Sequence, residues 1–274
     1  MRIVSLAPSV TAILVALGAR DSLVGVTRWC ADVVPAERLS GLRRFDDCWN
    51  ADAAAVAELQ PDLVIGSVPY RAQVIEGLVA HGLRFLATYP RSLSDIYSET
   101  RLLGRIVAAE PAAERLISSM ESAIEAVRKR SAAAATRPRV YCEEWSNPLQ
   151  NCQAWVAELV EAAGGEFVPK PPARQVSAEE VMAANPELIV LAWCGTNDRS
   201  RPDVVRRRPG WSHIQAVATQ HIHPVRDELL NTPGPNLIEG LKTLAALIHP
   251  ELFADHHSSG VAPGGAAAPS LRME

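Results

Sequence analysis

The 274-residue sequence contains no P-loop, no G-x-G-x-x-G and no G-x-S-x-G. It therefore lacks the short motifs that cradle phosphates, bind dinucleotides or expose an acyl-transfer nucleophile. It has no C-x-x-C pair. The cysteines Cys30, Cys48, Cys142, Cys152 and Cys194 are odd in number. That argues against a zinc cluster and for free thiols in a reducing compartment. One bridge, such as Cys142 with Cys152, stays open. Strong charge of one sign is also missing: 27 Lys and Arg face 31 Asp and Glu, a net charge of −4. Nucleic acid needs a clustered positive surface, so it is excluded as the main partner. The basic runs Arg128-Lys129-Arg130 and Arg206-Arg207-Arg208 read as solvated helix ends or loops. No membrane-spanning apolar stretch is expected. The apolar run from Ile3 to Ala19 superficially looks like a leader, but Pro8 and Ser9 break it and no lipobox-type cysteine follows. This segment is expected to remain in the mature protein. A cytoplasmic location is favoured, with a periplasmic one as the alternative.

What is present is a pattern told twice. Arg2 to Leu6 reads as a strand, followed by a Pro-Ser turn and the helix Val10 to Leu17, with Ser9 as N-cap and Gly18 as stop. Leu23 to Val26 reads as a second strand. Ala51 to Leu59 is helical and runs into the strand Pro61 to Ile65; a helix (Ala72 to His81) and a strand (Arg84 to Thr88) follow. In the second half, Pro138 to Cys142 is a strand and Ala154 to Ala163 a helix. Ser177 and Glu180 form a capping box ahead of Ala178 to Ala184, and Pro186 to Leu191 is again a buried strand. The clearest echo pairs Pro61 to Ile65 with Pro186 to Val190. Alternating strands and helices imply an α/β fold with mainly parallel sheets. Between the halves, Glu110 to Ala135 carries apolar residues at helical spacing and predicts one helix of about 36 Å, long enough to join two lobes. The expected organisation is a first lobe over 1–108, a connecting helix over 109–136, a second lobe over 137–253 and a disordered tail over 254–274. His256-His257 belongs to that tail.

Trp29, Trp145 and Trp193 follow predicted strands, and Trp49 lies in a loop. In parallel sheets the loops at the carboxyl ends of strands form the binding crevice. Tryptophan there suits a large, flat or greasy ligand. Trp155 is expected to pack on its own sheet and Trp211 to anchor a turn. Polar candidates are Arg28, Asp32, Asp46, Asp47, Glu143, Glu144, Asn197, Asp227, Glu228 and Asn231. The Glu143-Glu144 pair has the chemistry for acid/base work, but no activated nucleophile accompanies it. His221-x-His223 offers two metal ligands without a third. Cys194 offers a soft thiol contact. No catalytic residue, catalytic cofactor or resident metal is assigned.

Several stretches together resemble the cobalamin/iron-siderophore class of substrate-binding proteins. They are Arg2 to Thr11, Val24 to Val26, Leu59 to Ile65, Trp155 to Leu159 with Ala163 to Gly165, Val176 to Glu179, Arg208 to Trp211, and Pro233-Gly234-Pro235. The resemblance is greatest to the vitamin B12-binding branch and covers residues 2 to 253. It implies two Rossmann-like lobes joined by one long helix. It also implies a monomer that is not an enzyme, holds a corrinoid in the cleft and hands it to an ABC transporter permease. Carried over by position, Trp29, Cys30, Trp145, Asp227, Glu228 and Asn231 are ligand-side residues; Glu144, Trp193 and Cys194 join them from their own places at the ends of predicted strands. Glu179 matches a transporter-docking acid. Its first-lobe counterpart falls at Ala54, with Asp52 two residues away. An aromatic that contacts the corrin in the B12 binder falls near Ala173. The alternatives are a ferric siderophore or haem binder on the same fold, and, from another class, a cytoplasmic corrinoid-handling or metal-dependent enzyme.

Overall fold

The computed structural model describes residues 1–47, 49–67, 71–197 and 199–254. Cys48 and the tail from 255 onward, including His256-His257, lie outside the described residues.

The first lobe is built from β1 (Ile3–Ser5), α1 (Pro8–Ala16), β2 (Leu23–Thr27), β3 (Arg43–Phe45), α2 (Ala53–Glu58), β4 (Leu63–Ser67), α3 (Ala72–Ala80) and β5 (Phe85–Thr88). Its sheet runs β3-β2-β1-β4-β5 with every pair parallel. The chain leaves β1 in both directions, so a crevice opens at the carboxyl ends of β1 and its neighbours. Helix α1 starts two residues earlier than Ser9 capping predicts. Pro8 takes the first helical position, where its missing N–H is no loss, and Ser9 is buried inside the helix. Gly18 stops the helix at φ +78°.

Two helices join the lobes. Helix α4 (Leu93–Ile106), to which the sequence reading assigned no element, is capped by Ser92 Oγ accepting the Asp95 N–H. Helix α5 (Glu110–Ser131) follows it and extends about 33 Å. Leu93 and Ile96 near the start of α4 pack in the second lobe's core, whereas Leu103 packs in the first. Helix α5 runs the opposite way: Ala113 belongs to the first-lobe core, and Ile124 and Val127 to the second. The connector is thus an antiparallel helix pair rather than a lone rod.

The second lobe comprises β6 (Arg139–Ser146), β7 (Leu149–Asn151), α6 (Ala154–Ala162), β8 (Glu166–Phe167), α7 (Ala178–Ala184), β9 (Leu188–Leu191), α8 (Pro202–Arg206), α9 (Gln215–Ala218), β10 (Ile222–Pro224), α10 (Glu228–Asn231) and α11 (Leu237–Ile248). The sheet runs β10-β9-β6, parallel, with β8 parallel to the start of β6 and β7 antiparallel to its end.

The two-lobe repeat holds at atomic detail. Arg2 donates its backbone N–H to Asp62 and its guanidinium to the Leu59 carbonyl. Arg139 donates its N–H to Glu187 and its guanidinium to the Ala184 and Asn185 carbonyls. The turn each arginine clamps contains a left-handed residue, Gln60 at φ 46° and Asn185 at φ 42°. The helices entering these turns are capped alike, by Asp52 and by Ser177, and the Ser177–Glu180 capping box is complete.

Candidate ligand cleft

The cleft lies where the carboxyl ends of both sheets face each other. From the first lobe, Trp29 stands in the turn after β2, half-buried. From the second, the turn after β9 carries Trp193, Cys194 and Gly195. Gly195 has φ +74°, and a Cβ built on it lies 3.7 Å from Trp29 Cη2, so the lobes meet here. They meet again behind the cleft, where Gly234 approaches the Ser9 carbonyl and Ile13 of α1.

A polar network holds the second-lobe wall. Gln153 Nε2 donates to both Glu144 carboxylate oxygens at 3.1 and 2.8 Å. The Cys194 thiol donates to Glu144 at 3.7 Å. Asn231 Nδ2 donates to the Ala192 carbonyl at 2.7 Å and to Cys194 Sγ at 3.3 Å. Asp227 accepts the Gly195 and Asn197 N–H groups at 2.9 and 2.6 Å and so fixes the turn opposite Trp29. Burial pushes the Glu144 and Asp227 carboxyls above the usual carboxylate range and the Cys194 thiol above its own. The structure thus brings Glu144, Cys194, Asp227 and Asn231 to one wall and sets Trp29 against the turn that carries it, while the Trp193 indole turns to the opposite face, beside Glu143.

Three other expected ligand-side residues also sit elsewhere. Cys30 is fully buried and makes sulfur contacts with the Thr11 and Thr27 hydroxyls at 3.1 and 3.2 Å, inside the first-lobe core. Glu228 is buried and ion-paired with Arg226. Trp145 is 39% exposed near the tip of the β6–β7 hairpin, its indole N–H on the Asn147 carbonyl. Glu143-Glu144-Trp145 lies within β6 rather than after it, so alternation sends the two carboxylates to opposite faces. Glu143 is fully buried, receives two 2.7 Å bonds from Arg208 and accepts the Trp193 indole N–H at 2.8 Å. This corrects the solvated reading of Arg208, whose guanidinium also stacks 4.5 Å above the Trp211 ring. Trp211 is core and makes an edge contact with Tyr141; Trp155 packs in the second-lobe core and donates to the Leu230 carbonyl. The sequence carried no signal for Gln153. Arg208 could have been found only by knowing that Glu143 needs a buried partner.

A groove of about 580 Å³ runs along α6, lined by Ala154, Ala157, Glu158, Phe167, Lys170 and Pro171. Glu158 ties it to the start of α4 by accepting the Leu93 N–H. Ala173, the position where the resemblance places an aromatic, follows directly on the groove wall, at φ 62°.

Of the expected docking acids, Glu179 is exposed in the first turn of α7. Its own backbone N–H and the Ser177 hydroxyl hold its carboxyl below the usual range. Asp52 is engaged in capping α2 and corresponds to Ser177, whereas Ala54 corresponds to Glu179. The described cysteines Cys30, Cys142, Cys152 and Cys194 are free thiols.

The family model for periplasmic binding proteins matches residues 3–229. The chain belongs to this family. It is 29% identical over 265 residues to YvrC of Bacillus subtilis, an uncharacterized ABC transporter substrate-binding lipoprotein, across 93% of this chain and 82% of that one. It is 23% identical to a cobalamin-binding protein of Halobacterium salinarum, across 90% and 69% of the two chains. The solved structure of the periplasmic heme-binding protein RhuT from Roseiflexus superposes with a TM-score of 0.78 at 24% identity, across 92% and 98% of the chains, and shares the two-lobed fold. These findings overturn the expectation of a cytoplasmic protein. The family is periplasmic and the Bacillus relative is a lipoprotein, which points to a place outside the cytoplasm. The reading of the cysteines as thiols kept free by a reducing compartment falls with that expectation, and Cys30, Cys142 and Cys152 are buried. The family is one of substrate-binding proteins rather than enzymes. Among the described residues no helix is long and apolar enough to cross a membrane.

Proposed function

We propose that this periplasmic binding protein takes a corrinoid into the cleft between its lobes and delivers it to an ABC transporter. The observation that carries the reading is the Trp29 ring set against the Trp193-Cys194-Gly195 turn, an aromatic platform facing a wall of fixed amide, carboxyl and thiol groups. A corrin offers a broad apolar face with amides around its rim. Tryptophan supplies area for the face, and Glu144, Asp227 and Asn231 supply hydrogen-bonding groups for the rim. The Halobacterium relative's name supports the same ligand class. Trp145, near the hairpin tip, is assigned to the mouth of the cleft. Glu179 is assigned to the transporter-facing surface, with Asp52 left to its capping role. The connecting helix pair favours small closure, because two packed helices resist bending more than extended hinge strands do.

The experiment is a titration of purified protein with cyanocobalamin, ferric siderophores and haem, followed by tryptophan quenching and visible absorbance. Saturable quenching by the corrinoid alone supports the reading. Quenching by haem or a ferric chelate, with none by corrinoids, replaces it with the haem or siderophore alternative.

A further inference from the structure

The mouth of the cleft carries two arginines that neither the core nor the network above uses. Arg28 belongs to the first lobe. Its guanidinium carbon lies 4.6 Å above the ring of Trp29, and its side chain is exposed. Arg199 belongs to the second lobe. Its Nε donates to the Thr196 carbonyl at 3.1 Å and its Nη2 to the Gly195 carbonyl at 3.4 Å. Gly195 is the residue that Trp29 faces across the cleft. Each guanidinium therefore lies beside one partner of a single inter-lobe contact, Arg28 on Trp29 and Arg199 on Gly195.

Neither forms an ion pair with a carboxylate among the described residues. Other exposed arginines near acids do pair, as Arg101 with Glu114 and Arg206 with Asp203 show. A guanidinium has five N–H donors, and two carbonyls occupy only part of Arg199's set. Its fork is held in place with donors to spare. The Trp29 face restrains Arg28 in the same way, by attraction between cation and ring. Two pre-positioned guanidiniums on opposite sides of a cleft match a singly charged oxyanion that enters between them.

We propose that Arg28 and Arg199 form a two-sided clamp for an anionic substituent of the ligand. Resting on the corrinoid reading above, the clamp assigns the phosphodiester of the nucleotide loop as that substituent. The protein then selects complete corrinoids over those lacking the loop, and it reads this difference at the mouth of the cleft rather than on its floor.

The test uses two probes with the same corrin ring: cyanocobalamin, which has the phosphodiester, and dicyanocobinamide, which does not. Affinities are measured by tryptophan quenching for the wild-type protein and for Arg28→Ala and Arg199→Ala. The wild type is expected to prefer cyanocobalamin by about tenfold or more. Each substitution is expected to weaken cyanocobalamin by about tenfold, leave dicyanocobinamide within about twofold, and leave thermal unfolding unchanged. Arg28→Lys and Arg199→Lys should retain part of the preference, because charge survives while the fork is lost. Equal loss for both probes, no loss for either, or a wild type without preference overturns the clamp and leaves corrinoid binding standing. A wild type that binds neither probe overturns the corrinoid reading and the phosphodiester assignment with it.

Discussion

Trp29 and Gly195 face each other across the cleft, with the ring edge 3.7 Å from the place a Cβ on Gly195 would occupy. That spacing is ordinary contact, so adding the Cβ creates no clash with the ring. The φ of +74° does penalise it. Gly195→Ala is therefore expected to lower stability by about 1 kcal/mol in urea unfolding. Trp29→Ala is expected to weaken ligand binding by about tenfold or more, with a smaller effect on stability. Unchanged affinity for Trp29→Ala would remove the platform from the account.

Glu143 and Arg208 are a buried pair whose loss exposes neither group fully to water. Glu143→Ala leaves Arg208 and the Trp193 indole N–H without their acceptor. Removing one partner of such a pair costs about 3–5 kcal/mol. Urea unfolding should show that loss, and the Trp193 emission should shift because the indole loses its hydrogen bond. A loss below about 1 kcal/mol would show that the pair is better solvated than its burial implies.

Glu99, on α4, accepts the Tyr89 N–H, and burial pushes its carboxyl up to about 7 from the usual 4.5. Below the ordinary value both folded and unfolded chains hold the proton, and its contribution is fully present. Between the two values the folded chain keeps a proton that the unfolded chain releases, so stability falls as pH rises. Above about 7 the loss is complete. Chemical unfolding across pH 4 to 8 should show this decline, and Glu99→Gln should flatten it. Glu144 and Asp227 are raised by the same cause and add a decline of the same sign.

Gly240 sits in α11 where it crosses α10. A Cβ on it would lie 2.2 Å from the Leu229 carbonyl oxygen, and backbone cannot swing aside as a side-chain tip can. Gly240→Ala is expected to destabilise by about 1–3 kcal/mol, despite alanine's better helix propensity. Because α10 carries Asn231, ligand affinity should fall with it. Gly18→Ala, where nothing lies within 4 Å, should show only the strain of its φ of +78°.

The fold was legible because its repeat is written in turn chemistry. Pro61-Asp62-Leu63 and Pro186-Glu187-Leu188 mark the same helix-to-strand corner in each lobe, and the arginines that clamp the corners open β1 and β6. Helix α4 is signalled by Ser92 and by the spacing of Leu93, Ile96, Thr100 and Leu103, but the polar residues Ser94, Asp95, Ser98 and Glu99 dilute the apolar stripe. In the site, the position of each tryptophan could be read along the chain, but not its surroundings. Glu143 and Glu144 are adjacent in sequence and alternate in facing. Only the distant Arg208, Gln153 and Cys194 decide which one is core and which one meets the cleft. Cys30 shows the same limit, since the hydroxyls of Thr11 and Thr27 draw it inward.

The most direct measurement of the central claim is the quenching titration of the intact protein with cyanocobalamin, with visible absorbance recorded in parallel. The account predicts saturable quenching at one corrinoid per chain, lost in the Trp29→Ala variant. Saturable binding of haem or a ferric siderophore, with no response to the corrinoid, would contradict it.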